Sequence, residues 1–120
     1  MGRAAFKVSA LVLAGVLLLQ LVPVDRTNPP VTAEVVAPGA VMEILRTSCY
    51  DCHSNETTWP WYSRVAPVSW LIAKHVEMGR EHVNFSHWGE LSAEDRDHAL
   101  EDIWEEVERG TMPHRGYLRW

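Results

Sequence analysis

Apolar residues run without a charged interruption from Val8 to Val24, rich in Leu and Val, so this stretch is hydrophobic on every side of a helix and not along one stripe. Its seventeen residues would rise about 25 Å as an α-helix, slightly short of a ~30 Å hydrocarbon core. Ala4, Ala5 and Phe6 extend the apolar length while Lys7 reaches back to the interface. The pattern predicts a signal-anchor or transmembrane segment over residues 1–24. A cleaved signal peptide is the alternative, but Gln20 to Val24 offers no small residue for cleavage, and the permissive Val31-Thr32-Ala33 lies far downstream. An uncleaved anchor is therefore favoured. With Arg3 and Lys7 retained in the cytoplasm, the rest of the chain faces the other side, as for a single-pass protein of the inner membrane with a periplasmic domain.

Beyond the anchor the pattern becomes amphipathic. Residues 25–39 hold Pro29, Pro30 and Pro38 among Thr27, Asn28, Thr32 and Glu34, which predicts an extended, Pro-rich linker. Val41, Met42, Ile44 and Leu45 recur at helical spacing, so a short helix should run from Pro38 into Cys49. Pro67 opens a second helix to about Val83, with Val68, Leu71, Ile72, Val76 and Val83 on its apolar side. Phe85, His87 and Trp88 follow in a turn. Ser92, with Asp95 three positions on, resembles a capping box, so a third helix begins near Ala93. Leu100, Ile103, Trp104 and Val107 form its expected core stripe, and Gly110 its stop. No segment alternates with strand period. The fold class expected is all-α, a small domain with long loops over residues 40–120, preceded by the membrane helix.

Chemistry concentrates where the first amphipathic helix ends. Cys49, Tyr50, Asp51, Cys52 and His53 read C-x-x-C-H, the attachment sequence of a c-type haem. Two thiols three positions apart on one turn can each add to a porphyrin vinyl group, and the adjacent histidine is delivered to the iron. A thioredoxin-like redox pair would need a βαβ setting, and a zinc site would need four ligands. An export signal agrees with haem attachment, which takes place outside the cytoplasmic membrane. One haem c, with its iron, is the expected cofactor.

Trp59, Trp61 and Tyr62 follow in a loop, where flat rings could wall a porphyrin or serve as ordinary core. For the second axial position Met112 is favoured, because it sits in a loop stiffened by Pro113 and a thioether opposite His suits electron transfer. His75 and His82, which share one face of the second helix, and His114 are the competing ligands.

The chain carries net charge −5, and since the first 24 residues contribute Arg3 and Lys7 and no acid, the remainder carries −7. Nucleic acid is thereby disfavoured as a partner. The acids Glu101, Asp102, Glu105, Glu106 and Glu108 lie off the apolar stripe of the third helix. They form a solvated face or a docking patch for a basic redox protein.

Taken together, Cys49 to His53 continuing as Ser54-Asn55-Glu56-Thr57, then Trp59-Pro60-Trp61-Tyr62-Ser63, Ala66-Pro67-Val68-Ser69-Trp70, Gly79-Arg80, Asn84-Phe85-Ser86 and Met112-Pro113, preceded by Thr27 to Thr32, resemble the bacterial haem-binding domain family related to cytochromes c. The resemblance covers about residues 25–118. It implies a cytochrome c-like haem domain, membrane-anchored or exported, with haem bound covalently at Cys49 and Cys52, His53 as proximal ligand and Met112 matching the distal one. Such domains continue with a further C-terminal helix, whereas this sequence ends at Trp120.

The expected function is single-electron transfer by a carrier that is not an enzyme, working with redox partner proteins. A haem-based gas or redox sensor with an open sixth position is the alternative. A peroxidase-like site drawing on His75, Glu77 and Arg80 is a third.

Overall fold

The computed structural model of the chain describes residues 2–116, and all regular structure among them is helical. Helix α1 spans Gly2–Leu19, α2 Gly39–Ser48, α3 the single turn Tyr50–His53, α4 Val68–His82 and α5 Ala93–Glu108. Two 3₁₀ helices, Trp61–Arg64 and Phe85–Glu90, stand where a loop and a turn were expected. The described residues form two compact units, one from residues 2–27 and 59–75, the other from 28–58 and 76–116.

In the first unit, α1 has a mean hydropathy of 1.8 and none of its residues is buried, so it is long and apolar enough to cross a membrane. Its end is tied to the segment before α4. The Gln20 Oε1 accepts from the Ala66 N–H at 2.9 Å, and Gln20 Nε2 donates to the Ala66 carbonyl at 3.3 Å. Arg26 donates to the Ser63 carbonyl, and Ser63, fully buried, donates its hydroxyl to the Pro60 carbonyl.

In the second unit the core is a small cluster of Val35, Tyr50 and Phe85, against which Met42 and Leu45 of α2, Trp88 and Ile103 of α5 pack. Tyr50 and Phe85 stack with ring centroids 5.7 Å apart. The capping box is present, with Ser92 Oγ accepting from the Asp95 N–H and donating to the Asp95 carboxylate. The start of α5 is thereby fixed.

Three expectations change. The Pro-rich segment is extended as expected, but from Asn28 onward it is no free spacer. Thr32 and Ala33 N–H groups donate to the Ser86 carbonyl, Val35 N–H to Phe85 and Gly89 N–H to Ala33, while the Asn55 side chain donates to the Pro30 carbonyl. Prolines that cannot join a helix still leave neighbouring amides free to pair. Of the apolar stripe expected on the second helix, Val76 is buried, Ile72 half-buried and Val83 packed on the core, but Val68 and Leu71 are exposed while Ser69 and Gly79 are buried, so only part of the stripe faces inward. On α5, Leu100, Trp104 and Val107 are more than half exposed and only Ile103 reaches the cluster. A cluster this small cannot cover a whole stripe.

Val35 is 9% exposed and its neighbour Val36 is 94% exposed, which separates a structural role from composition. Val35→Ser should cost about 2 kcal/mol in urea unfolding, whereas Val36→Ser should leave the midpoint unchanged. Equal midpoints for the two variants would return residues 28–37 to the status of a spacer.

Candidate haem site

The motif is presented by a break between two helices. Cys49 ends α2, its N–H donating to the Leu45 carbonyl at 2.9 Å, and its own φ/ψ of −125°/−36° turns the chain before α3. The Cys49 carbonyl then accepts from the Cys52 N–H at 3.2 Å and the His53 N–H at 2.9 Å. This closes one turn, so both thiols project from adjacent positions of it. Both cysteines are free and half-buried.

His53 is oriented from outside the motif. Its Nδ1 lies 3.1 Å from the Val83 carbonyl. A carbonyl can only accept, so the proton sits on Nδ1 and Nε2 keeps its lone pair. That is how a ligating imidazole is held by its neighbours. The Phe85 ring flanks it at 6.3 Å, tilted by 60°.

The C-terminal half of α4 supplies the rest of the cradle. A Cβ at Gly79 would lie 2.4 Å from the Cys52 carbonyl oxygen, so only glycine permits this approach. Arg80 Nε donates to the Ser54 carbonyl at 2.8 Å, and its Nη2 donates to Thr57 Oγ1 and Asn28 Oδ1, both at 3.0 Å. Arg80 therefore braces the motif loop.

The residues after the motif are small and polar because they close hydrogen bonds inside it. Ser54 Oγ donates to the Tyr50 carbonyl, Thr57 Oγ1 donates to the Asp51 carbonyl, and the Asp51 carboxylate accepts from the Thr58 N–H. Asn55 donates through Nδ2 to His87 Nε2, accepts at Oδ1 from Asn84, and donates its backbone N–H to Ser86 Oγ. Ser54, Asn55, Thr57 and Ser86 are buried, and each is satisfied. In the sequence these residues, with Gly79 and Arg80, carried only the family resemblance, Arg80 also entered a peroxidase-like reading and Val83 an apolar stripe, and none was assigned its part in holding the motif turn. The signal available was the run of short polar side chains directly after His53.

Burial pushes the thiols of Cys49 and Cys52 above the usual cysteine range. For Cys52 the Asp51 carboxylate and Cys49 add to the rise, and the Arg80 guanidinium opposes it. A reactive redox pair would carry a depressed thiol, so these cysteines do not suit thiol exchange. Among the described residues no three His, Cys, Asp or Glu side chains gather as a metal ion would need. Two neutral thiols beside one imidazole with a free Nε2 do fit a haem. Cys49 and Cys52 would hold its vinyl edge, and His53 its iron.

Trp59, Trp61 and Tyr62 belong to the first unit, with Trp61 exposed and edge-on to Tyr62. Met112 stands on the loop after α5, 39% exposed, its N–H donating to the Glu106 carbonyl at 3.1 Å. His82 turns its Nδ1 to the Met78 carbonyl, His75 is half-buried on α4, and His114 is exposed on the last described loop.

Gly79→Ala should cost about 2 kcal/mol or more and lower the yield of haem-loaded protein, because a backbone carbonyl cannot step aside. Unchanged thermal unfolding and haem content in this variant would contradict the docking described. Tyr50 gives a pH signature. Burial first, then its hydrogen bond to Glu34, raises its hydroxyl to about 12. A group raised in the folded state adds stability below its unfolded value, near 10, and loses it as pH climbs toward 12. Tyr50→Phe should therefore flatten the alkaline fall in the denaturation midpoint over that window. A fall as steep as in the parent chain would exclude this assignment.

No curated protein and no solved structure gives a significant match to this chain. The sequence pattern of the haem-binding domain family, however, matches residues 14–120, from within α1 through the Cys49–His53 motif to the end, and the chain belongs to that family.

Proposed function

We propose that this protein is a membrane-anchored, mono-haem c-type electron carrier. Haem is attached through Cys49 and Cys52, with His53 and Met112 as axial ligands. Helix α1 spans the inner membrane and the haem domain lies on the periplasmic side. The observation that carries the reading is the 3.1 Å contact of His53 Nδ1 with Val83, which leaves Nε2 free beside two unpaired thiols.

The bound iron would supply one-electron chemistry by alternating between ferric and ferrous states. The chain's own residues do the rest. Val83 fixes the imidazole, while Gly79 and Arg80 fix the turn that carries it. Apolar side chains left open in the same unit, Leu100, Trp104 and Val107, are the kind of surface a porphyrin face covers. Glu101, Asp102 and Glu108 expose carboxylates that would steer a basic redox protein to it. The exposure of Met112 favours one second reading, a sensor whose sixth position is open.

Optical spectra of the chain matured with a c-type haem system, in both oxidation states with and without carbon monoxide, test the proposal. A low-spin haem indifferent to carbon monoxide is expected, and Met112→Ala should remove the weak red band of Met-ligated ferric haem and admit carbon monoxide. His53→Ala should abolish the stable low-spin spectrum. Rapid carbon monoxide binding by the parent protein would overturn the Met112 assignment and favour the sensor.

A further inference from the structure

The first unit contains an apolar surface that its own packing rejects. Trp61 is 77% exposed, Leu71 58%, and Val65 and Val68 each 44%. The four lie within eleven residues, on the 3₁₀ helix, the extended residue Val65 that follows it and the start of α4, while Ser63, Ala66 and Ser69 between them are buried. Small residues inside and large apolar residues outside invert the usual order.

The position of this surface along the chain is fixed by Gln20. That side chain is the first polar one after the apolar helix; its Oε1 accepts from the Ala66 N–H, and its Nε2 donates to the Val16 carbonyl of its own helix at 3.0 Å and to the Ala66 carbonyl at 3.3 Å. The end of α1 is thus pinned to the middle of the exposed apolar set. If α1 spans a bilayer, Gln20 lies at the outer boundary of the hydrocarbon, and so does Ala66. Trp and Tyr collect at that depth, one side of the ring in the acyl chains and the polar edge in the headgroups. Arg64 is exposed beside Trp61, and Arg26 is held on the Ser63 carbonyl, which places two cations where anionic headgroups lie.

We infer that the segment Trp61–Leu71 is a second membrane contact, an interfacial foot that rests in the outer headgroup layer of the bilayer crossed by α1. The Gln20–Ala66 clamp sets its depth. The inference rests on the reading of α1 as a membrane span and adds a partner, the lipid interface, to the Trp-Pro-Trp-Tyr-Ser stretch. A span alone leaves the domain free to swing on residues that follow it. A foot with its own apolar face removes that freedom close to the membrane.

The test uses the full haem-loaded chain in vesicles of mixed phosphatidylcholine and phosphatidylglycerol. The photocrosslinker p-benzoylphenylalanine is placed in turn at Leu13, at Trp61 and at Val68, and lipid adducts are read by mass spectrometry, with the haem spectrum confirming that each variant has folded. Adducts at all three positions are expected. In Gln20→Leu, which keeps the helix apolar and removes the clamp, the adducts at 61 and 68 should fall while that at 13 persists. An adduct at 13 with none at 61 or 68 overturns the foot and leaves the span standing. No adduct at any position overturns the span, and the foot with it. Full adducts at 61 and 68 in Gln20→Leu overturn the role given to the clamp.

Discussion

The approach of α4 to the Cys52 carbonyl at Gly79 is the constraint on which the unit carrying the Cys49–His53 turn depends. A side chain there would collide with backbone, which has no flexible end to withdraw. With the helix that close, Arg80 reaches the Ser54 carbonyl and the Val83 carbonyl reaches His53. Three anchors within residues 79–83, at the end of α4 and just past it, thereby hold three successive residues of the motif, Cys52, His53 and Ser54. The imidazole is oriented by backbone, and backbone geometry is insensitive to most surface substitutions.

This arrangement explains why the second unit tolerates so small an apolar core. Val35, Tyr50 and Phe85 alone would give a marginal domain. The unit adds a buried polar network in which Asn55, Asn84, Ser86 and His87 tie the extended segment 28–35 to the motif loop. Because each of these side chains has a hydrogen-bond partner, their burial does not carry the penalty of an unpaired polar group. The apolar side chains that remain open on α5 suit a domain completed by a large apolar cofactor. The arrangement also differs from a thiol redox site, since both cysteines are half-buried and their thiols are raised above the usual range.

The parts legible in the sequence are those governed by local rules. The helices at Gly39, Val68 and Ala93 follow from periodicity with proline or serine at their starts, and the Ser92 cap from its spacing to Asp95. The cysteines and histidine of the motif were legible because their chemistry dictates their spacing. What could not be read depends on partners distant in sequence. Nothing local to Val83 says that its carbonyl meets an imidazole thirty positions away, or that Gly79 is needed for contact and not for bending. The apolar stripe of α4 misled for the same reason. Close packing selected Ser69 and Gly79 for the inside and left Val68 and Leu71 outside.

The account stands or falls on whether haem becomes part of the polypeptide at the Cys49–His53 turn. The most direct measurement is extraction of the matured protein with acidified acetone, followed by the intact mass of the chain and of its Cys49→Ala/Cys52→Ala variant. The account predicts that haem stays with the parent polypeptide, raising its mass by one haem, and leaves the double variant. Haem that partitions into the solvent from the parent chain would contradict it.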